Sequence, residues 1–225
     1  LRFPSLIRAR LLRRYKRFLA DVETDDGRKV TVYCPNTGAM TGCLDPGSEV
    51  WLSRSENQKR KYMFTLELVN SGIGLVCVHA ARANTVVKEG FSRGLFQEFM
   101  EYSDLSSEVS YGDNSRADLL LSGDLGRVIV EVKSVTLYLG NGLGVFPDAI
   151  STRALKHAQE LQRALNQKTR SLIIFCVFHS AIQQVSIARE IDPAYYSALK
   201  SAIEAGVEIQ AWAVSISTSS LMLDR

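Results

Sequence analysis

The sequence has few of the residues from which metal–thiolate and disulfide-rich proteins are built. Its 225 residues include three histidines and four cysteines, at positions 34, 43, 77 and 176. The cysteines stand far apart and none forms a Cys-x-x-Cys pair, which excludes the usual ligand spacing of a structural zinc site. We therefore expect four reduced thiols in a cytoplasmic protein.

Long hydrophobic runs are also missing. The longest covers residues 172–178, whereas a membrane-spanning helix needs ~20 apolar residues. The arginine-rich first residues are not followed by the apolar core of a secretory signal. With 46% hydrophobic and 23% charged residues, the composition is that of a globular protein and predicts no association with a membrane.

Basic residues are concentrated in the first third of the chain. Residues 1–80 contain 13 Lys and Arg against 8 Asp and Glu, whereas the remaining 145 residues contain 14 against 16. Seven of the basic residues precede the first acid, Asp21. This asymmetry indicates that the N-terminal part meets a polyanion such as nucleic acid, although a solvated arginine-rich face would give the same counts.

The first 80 residues alternate short apolar segments with turn residues. Segments such as Asp25-Asp26-Gly27 and Asp45-Pro46-Gly47 supply the turn chemistry. The predicted strands cover residues 6–12, 18–23, 29–33, 49–53, 63–68 and 74–79. Evenly spaced strands of this kind predict a small barrel or sandwich, and a five-stranded OB-like β-barrel over residues 1–80 is one good fit.

From residue 83 onward, helical and strand patterns interleave. Helical patterns cover residues 83–100, 151–166 and 193–205, and strand patterns cover residues 108–111, 117–121, 128–137, 172–178 and 207–215. The second predicted domain, residues 83–225, is therefore an α/β domain with a largely covered sheet.

Two acids and a lysine fall on one predicted hairpin of that domain. In the strand 128–133 side chains alternate between faces, so Glu131 and Lys133 share a face roughly 7 Å apart. If residues 122–127 form a symmetric hairpin loop, Leu121 pairs with Val128, and Asp118 falls directly opposite Glu131 on the same face. A slip of one residue would turn Asp118 away.

Two carboxylates this close need a cation between them, or the pKa of one of them must rise. Oxygen ligands suit Mg²⁺ or Mn²⁺, and a neighbouring lysine can position an attacking water and balance charge that develops on a phosphate. Asp118, Glu131 and Lys133 are thus the predicted catalytic residues of metal-assisted phosphodiester hydrolysis. The alternative is an ordinary charged strand surface.

Six segments of the sequence are distinctive: residues 14–22, 34–43, 59–62, 131–137, 146–149 and 179–182. Two of them contain the blocks Cys-Pro-Asn-Thr-Gly (34–38) and Glu-Val-Lys-Ser-Val-Thr-Leu (131–137). They resemble the sugar fermentation stimulation protein A (SfsA) family of bacteria and archaea. The resemblance runs nearly from end to end of the chain, and both blocks are specific.

The resemblance implies an N-terminal OB-like β-barrel followed by a PD-(D/E)xK nuclease-like α/β domain. In that motif Asp118 matches the first acid, Glu131 and Lys133 match the ExK, and Ala117 stands where the motif has proline. It implies that Mg²⁺ or Mn²⁺ is held by Asp118, Glu131 and the carbonyl group of Val132.

Three accessory residues follow from the same nuclease-like fold. Glu89 is the candidate on the first helix, and Arg153 and His157 are the candidates on the helix 151–166. Plain helix surface is the alternative interpretation of all three. The glycine-rich segment 140–144 is predicted to be a flexible lip over the active face.

Basic and aromatic residues interleave at two places in the N-terminal third, as they do on surfaces that bind single strands. The predicted DNA-binding residues are Arg14, Tyr15, Lys16, Arg17, Lys59, Arg60 and Lys61. We expect both segments on strands of one barrel, where they can form a continuous groove; core rings with a charged solvent face are the alternative. The turn residues Asn36, Thr37 and Gly38 are candidates for a phosphate pocket facing the metal site.

The resemblance implies a non-specific DNA-binding protein linked to the regulation of sugar metabolism, with Mg²⁺-dependent nuclease activity as a further expectation that a fold does not settle. Two alternatives stay open: a DNA-binding transcriptional regulator without catalytic activity, and a metal-dependent phosphodiesterase acting on a small nucleotide or a phosphorylated metabolite. The oligomeric state also stays open, a homodimer included.

Overall fold

A sheet in the N-terminal third of the chain closes into a barrel. The computed structural model describes residues 1–112 and 115–224. The strands are β1 (Ile7–Tyr15), β2 (Leu19–Thr24), β3 (Lys29–Tyr33), β4 (Glu49–Arg54), β5 (Phe64–Asn70) and β6 (Leu75–Cys77), in the spatial order β3-β2-β1-β4-β5-β6. A parallel bridge between Tyr33 and Thr65 joins β3 to β5, so that β1 to β5 form a closed five-stranded barrel. The predicted OB-like barrel is confirmed.

On β1, alternate residues fill the barrel interior, as expected for a strand with one buried face. On β1, Ala9 and Leu11 are buried, whereas Arg13 lies outside and pairs with Asp21 at 2.8 Å. Part of the basic surplus in the first third is therefore an ordinary charged surface.

The second domain combines three helices with two sheets. Its elements are α1 (Arg82–Ser92), β7 (Asp104–Tyr111), β8 (Ser115–Gly123), β9 (Gly126–Val135), β10 (Leu137–Gly140), β11 (Leu143–Phe146), α2 (Thr152–Ala164), β12 (Thr169–Val177), β13 (Gln184–Ile187), α3 (Pro193–Glu204), β14 (Glu208–Ile216) and β15 (Leu221–Asp224). The larger sheet has the order β15-β14-β12-β9-β8-β7, with β14, β12 and β9 parallel. The predicted α/β domain is confirmed.

Helices cover both faces of the larger sheet. α1 packs on one face in a buried cluster with Leu119 and Val130, whereas α2 and α3 pack on the other face with Ile129 and Ile173. Successive residues of β9 therefore face opposite layers, as the alternation of the sequence predicts. No helix in the described part of the chain is long and apolar enough to span a membrane.

The first helix is shorter than predicted. The pattern 83–100 predicts one helix, but α1 ends at Ser92 and a 3₁₀ turn over Gln97–Phe99 follows. Gly94 has a φ of +69°, a left-handed conformation that ends helices, and the rings of Phe91 and Phe96 stack across the break with centroids 4.0 Å apart. The apolar residues after the break thus continue the buried layer without continuing the helix.

The glycine-rich segment 140–144 belongs to a β-hairpin, which corrects the predicted flexible lip. Strands β10 and β11 are joined through Asn141 and Gly142, whose φ values of +50° and +77° fit a tight hairpin turn. β13 adds a parallel strand on the far side of β11. An Asn-Gly pair is itself a hairpin signal, and the glycine content of the segment obscured it.

Backbone hydrogen bonds join the barrel to the second domain. The N–H of Cys77 donates to the carbonyl group of Phe178 at 2.9 Å. The N–H of Phe3 donates to the carbonyl group of Ser219 at 2.9 Å, so the first residues lie with the second domain although the predicted boundary assigns them to the barrel. Residues 113, 114 and 225 of the predicted second domain lie outside the described residues.

Candidate active site

Asp118 lies where β8 and β9 stop pairing. The backbone pairs run from Gly123 opposite Gly126 to Leu119 opposite Val130, which confirms the predicted register. Asp118 is the residue before Leu119 on β8. Its Oδ2 accepts a hydrogen bond from the Val132 N–H at 2.8 Å, and its Oδ1 accepts one from Asn84 Nδ2 at 2.8 Å. Groups from β9 and α1 therefore fix the carboxylate of Asp118. No pattern in the sequence points to Asn84.

Glu131 is buried on the neighbouring strand, with 3% of its surface exposed. Its Oε1 accepts a hydrogen bond from Lys133 Nζ at 2.5 Å and a second one from His157 Nδ1. Because an ionised carboxylate only accepts hydrogen bonds, Nδ1 of His157 carries the proton, and its Nε2 faces Arg153 Nε at 3.5 Å. The other carboxylate oxygen, Oε2, is buried and has no partner among the described residues.

The two carboxyl groups respond to this environment in opposite ways. Burial, helped by the charge of Glu131, raises the pKa of Asp118. Burial would also raise the pKa of Glu131, but Lys133 and His157 outweigh it and hold that pKa below its usual range. Two neighbouring carboxylates need a cation between them, or the pKa of one must rise. Of these two groups, it is Asp118 whose pKa is raised.

Further polar groups are buried around Glu131. The carboxylate Oε2 of Glu160 on α2, the hydroxyl group of Tyr111 and that of Tyr195 are buried and have no hydrogen-bond partner among the described residues. Burial, with Glu131 as the next cause, raises the pKa of both tyrosines. Glu160 follows Arg153 and His157 at helical spacing, which is a signal in the sequence, whereas no pattern in the sequence points to the tyrosines.

A cleft of about 410 Å³ is walled by both domains and reaches Val132 and Lys133 on β9, whereas Asp118 and Glu131 are not among its lining residues. Its lining includes the loop residues Asn36, Thr37 and Gly38 of the barrel, and Arg17, Val132, Lys133, Asp148, Ile150, Thr152 and Arg153. The structure thus brings the phosphate-loop candidates together with the catalytic candidate Lys133 and the accessory candidate Arg153.

Arg14 supports the loop wall from behind. Its guanidinium group donates to the carbonyl oxygens of Asn36, Gly38 and Ala39 at 2.8, 3.0 and 3.3 Å, and its Nε donates to the carbonyl oxygen of Arg17 at 3.0 Å. These bonds engage all three guanidinium nitrogens. Arg14 therefore orders the loop, and its predicted contact with DNA stays a prediction.

The remaining basic candidates lie in two turns of the barrel, and both turns reach the end of β3. Lys16 and Arg17 are exposed and form the β1–β2 turn, with φ values of +48° and +63°, while the hydroxyl group of Tyr15 donates to Asp21 at 3.1 Å.

The segment Lys59, Arg60 and Lys61 is in the β4–β5 loop, which corrects its predicted position on a strand. Turn residues just before it, from Asn57 onward, keep the chain out of the sheet. The guanidinium group of Arg60 lies 5.6 Å from the centre of the Tyr33 ring.

Glu89 is not brought to the carboxylates. Its Oε2 lies 2.5 Å from the backbone nitrogen of Leu1, and Asn84 is the residue of α1 that contacts Asp118.

The donor set fits a hard divalent cation. No group of three or more His, Cys, Asp or Glu within residues 1–112 and 115–224 is arranged to hold a metal ion. Mg²⁺, however, keeps several waters and is commonly bound through one or two carboxylates. Glu131 Oε2 has no partner in the described part of the chain, and each oxygen of Asp118 retains a second lone pair. These two residues and the Val132 carbonyl group can therefore hold such a cation.

Two family models match the chain. The model described as SfsA N-terminal OB domain matches residues 12–78, and the model described as sugar fermentation stimulation protein RE domain matches residues 81–220. A sugar fermentation stimulation protein homolog of Shewanella baltica (strain OS185) is 47% identical over 223 residues, which cover 98% of this chain and 95% of the relative. The homolog of Hahella chejuensis is 49% identical over 218 residues, or 95% and 90% of the two chains.

The fold also matches a solved structure, that of Pyrococcus furiosus SfsA in complex with Ca²⁺. The TM-score is 0.89 at 24% sequence identity, and the match covers 99% of this chain and 95% of that chain. At this identity the likeness concerns the fold.

Proposed function

The chain belongs to the sugar fermentation stimulation protein family, and we propose that it binds DNA non-specifically and hydrolyses phosphodiester bonds with the help of Mg²⁺ or Mn²⁺. The observation that carries the proposal is the arrangement around Glu131. A buried, ionised carboxylate keeps one unpartnered oxygen, and the lysine bonded to its other oxygen lines a cleft that opens to solvent.

In this proposal Asp118, Glu131 and the Val132 carbonyl group hold the cation, which when bound polarises a phosphate oxygen and makes water a better nucleophile. The Pyrococcus furiosus relative was solved with Ca²⁺, an ion that also takes oxygen ligands from carboxylates and carbonyl groups. That agreement in ligand chemistry supports a divalent cation in this chain.

The protein groups have separate tasks. Lys133 donates from the cleft wall, where it can orient water and balance charge on the phosphate. His157 and Lys133 hold Oε1 of Glu131, so that Oε2 is aimed by two hydrogen bonds. The side chain of Arg153 and the N-terminus of α2 face the same cleft and favour an anion there.

The barrel supplies the sequence-independent part of DNA binding. Lys16 and Arg17 in one turn, and Lys59, Arg60 and Lys61 in another, are exposed. Both turns reach the end of β3, and Arg17 reaches the cleft. Cations that neutralise phosphates make binding strongly dependent on salt. A basic surface next to the cleft that Lys133 lines supports a polymeric substrate.

The test is a cleavage assay on single-stranded, duplex and branched DNA with Mg²⁺, Mn²⁺ or EDTA. Wild type is compared with Glu131→Gln, and Glu108→Gln, an exposed carboxylate on β7, is the matched control. We expect Glu131→Gln to lose more than about 100-fold in metal-dependent cleavage, since even the partners of metal ligands are worth about 10- to 100-fold, and Glu108→Gln to cut normally.

Two other outcomes would support a different function for the protein. Salt-dependent DNA binding without cleavage of any substrate would remove the catalytic part and leave a DNA-binding regulator. Cleavage of a small phosphodiester with no binding to DNA would replace DNA by a small nucleotide or phosphorylated metabolite.

A further inference from the structure

The cleft has room for one or two nucleotides. Its volume of about 410 Å³ lies at the lower end of the roughly 300–1,000 Å³ that drug-sized ligands occupy. A single strand can enter a cleft of this size with its bases unpaired, so that one of its phosphates lies beside Lys133.

An apolar side chain stands at the mouth of this cleft. Ile150 lines it and is 77% exposed. The backbone on both sides is held, because Asp148 Oδ2 accepts the N–H of Met40 at 3.0 Å and the N–H of Ser151 donates to Asp192 Oδ2 at 2.9 Å. Single exposed apolar residues are common, but this one is presented by a fixed backbone beside a polar cleft. Isoleucine is among the side chains that act as wedges between neighbouring bases.

The charge of the cleft suits the backbone of a nucleic acid strand. Arg17, Lys133 and Arg153 line the cleft, and Asp148 is the single acid among its lining residues. The carboxylate of Asp148 is engaged by a backbone N–H. Phosphates can therefore follow the cations on either side of Ile150.

An exposed ring and a half-buried ring continue from the cleft over the barrel. Phe18 follows Arg17 in the β1–β2 turn and is 47% exposed. Its carbonyl group accepts the N–H of Cys34 at 2.8 Å, which fixes the turn against the end of β3. At that end Tyr33 lies under the guanidinium group of Arg60. Rings alternating with cations bind single strands, because bases stack on the rings while cations follow the phosphates.

We propose that the substrate is single-stranded DNA, with Ile150 inserted between two of its bases at the cleft mouth and Phe18 stacked on a base outside it. This inference rests on the proposed function, because it names the form of DNA that reaches the same site. The recognition uses the phosphate backbone and the faces of the bases, so it requires no particular sequence.

The test measures fluorescence anisotropy with a single-stranded deoxyoligonucleotide and with the same sequence folded as a blunt hairpin, in EDTA and in Ca²⁺. We expect Ile150→Ala and Phe18→Ala each to weaken single-strand binding by about fivefold or more, the scale of one lost base contact, and to leave hairpin binding unchanged. Ile73→Ala is the matched control, since Ile73 is 62% exposed on the barrel away from the cleft. A 2-aminopurine base in the strand should brighten on binding wild type and less on binding Ile150→Ala.

Equal affinity of wild type for strand and hairpin, or equal effects of Ile150→Ala and Ile73→Ala, would overturn the inference while DNA binding itself stands. No binding to either DNA would overturn the proposed function as well. A matched RNA strand that binds more tightly than the DNA strand would contradict the choice of DNA in both proposals.

Discussion

Gly38 of the barrel and Asp148 of the second domain are packed so closely that no side chain fits between them. A Cβ atom placed on Gly38 would lie 2.5 Å from Oδ2 of Asp148, the oxygen that accepts the Met40 N–H at 3.0 Å. The loop of the barrel therefore forms one wall of the cleft because a carboxylate from the other domain holds it there.

This contact predicts a coupled pair of substitutions. Gly38→Ala should destabilise the protein by about 1–3 kcal/mol through the clash, and Asp148→Ala by about 1–3 kcal/mol through the unpaired N–H of Met40. Because Asp148→Ala also removes the atoms that Gly38→Ala would strike, the double variant should cost less than the sum, with a coupling of about 0.5–3 kcal/mol. Urea unfolding of the four proteins measures it, and additive costs would contradict the contact.

Arg14 at the end of β1 and Arg17 in the turn that follows should behave differently when removed. Arg14→Ala should lower the free energy of unfolding, because several loop carbonyl groups lose their donor. Arg17→Ala should leave stability unchanged and reduce the slope of log K against log salt by roughly 0.7–0.9, the loss of one phosphate contact. Arg13→Ala is the control for both, because Arg13 is exposed, lies on β1 next to Arg14 and is paired with Asp21 of β2. If Arg14→Ala proves as stable as Arg13→Ala, Arg14 does not order the loop.

The sequence predicted the features that depend on alternation and on turns. Side-chain alternation and a symmetric loop were enough to set the β8–β9 register, because pairing Leu121 with Val128 across the turn fixes each pair that follows along the two strands. Turn residues at regular spacing were enough to predict the barrel.

It could not predict features that depend on which partner a polar side chain finds. An arginine beside aromatic residues looks the same whether it faces a phosphate or, like Arg14, four carbonyl groups of its own chain. Asn84 and Tyr111 meet Asp118 and Glu131 only after distant segments pack together. The end of α1 at Ser92 is set by a left-handed glycine within an otherwise continuous apolar pattern.

Acid should weaken the protein through Glu67, a fully buried carboxylate on β5. Burial alone would raise the pKa of Glu67, but hydrogen bonds from His79 and Arg82 outweigh it and lower the pKa from 4.5 to about 2. A carboxyl group whose folded pKa is depressed stabilises the fold above its unfolded pKa, and this contribution is lost as the pH falls from 4.5 towards 2. The contribution of Glu67 to the free energy of unfolding at neutral pH is about 3 kcal/mol.

The measurement is the free energy of unfolding between pH 7 and pH 2 for wild type and Glu67→Gln. The difference between the two should be largest at neutral pH and shrink below pH 4.5. Glu204→Gln, an exposed carboxylate on α3, should follow wild type throughout. A constant difference across the whole range would show that Glu67 does not titrate with folding.

Replacing Asp192, which lies next to the backbone of Ile150, should lower the free energy of unfolding. Its two carboxylate oxygens serve different helices, since Oδ1 accepts the N–H of Tyr195 at the start of α3 and Oδ2 accepts the N–H of Ser151 before α2, both at 2.9 Å. Asp192→Asn keeps the size of the side chain but only one acceptor oxygen, so one buried N–H faces an amide donor. We expect a loss of about 1–3 kcal/mol from Asp192→Asn, and about 1 kcal/mol from Ser151→Ala, which removes an ordinary helix cap.

The two variants also separate stability from binding. Asp192→Asn frees the backbone beside Ile150, so it should weaken binding of single-stranded DNA at a temperature where the protein remains folded. Ser151→Ala leaves the N–H bond to Asp192 in place and should bind normally once its lower Tm is taken into account. If Asp192→Asn binds single strands as tightly as wild type while unfolding at a lower urea concentration, Asp192 supports the fold alone, and the fixed backbone beside Ile150 plays no part in recognition.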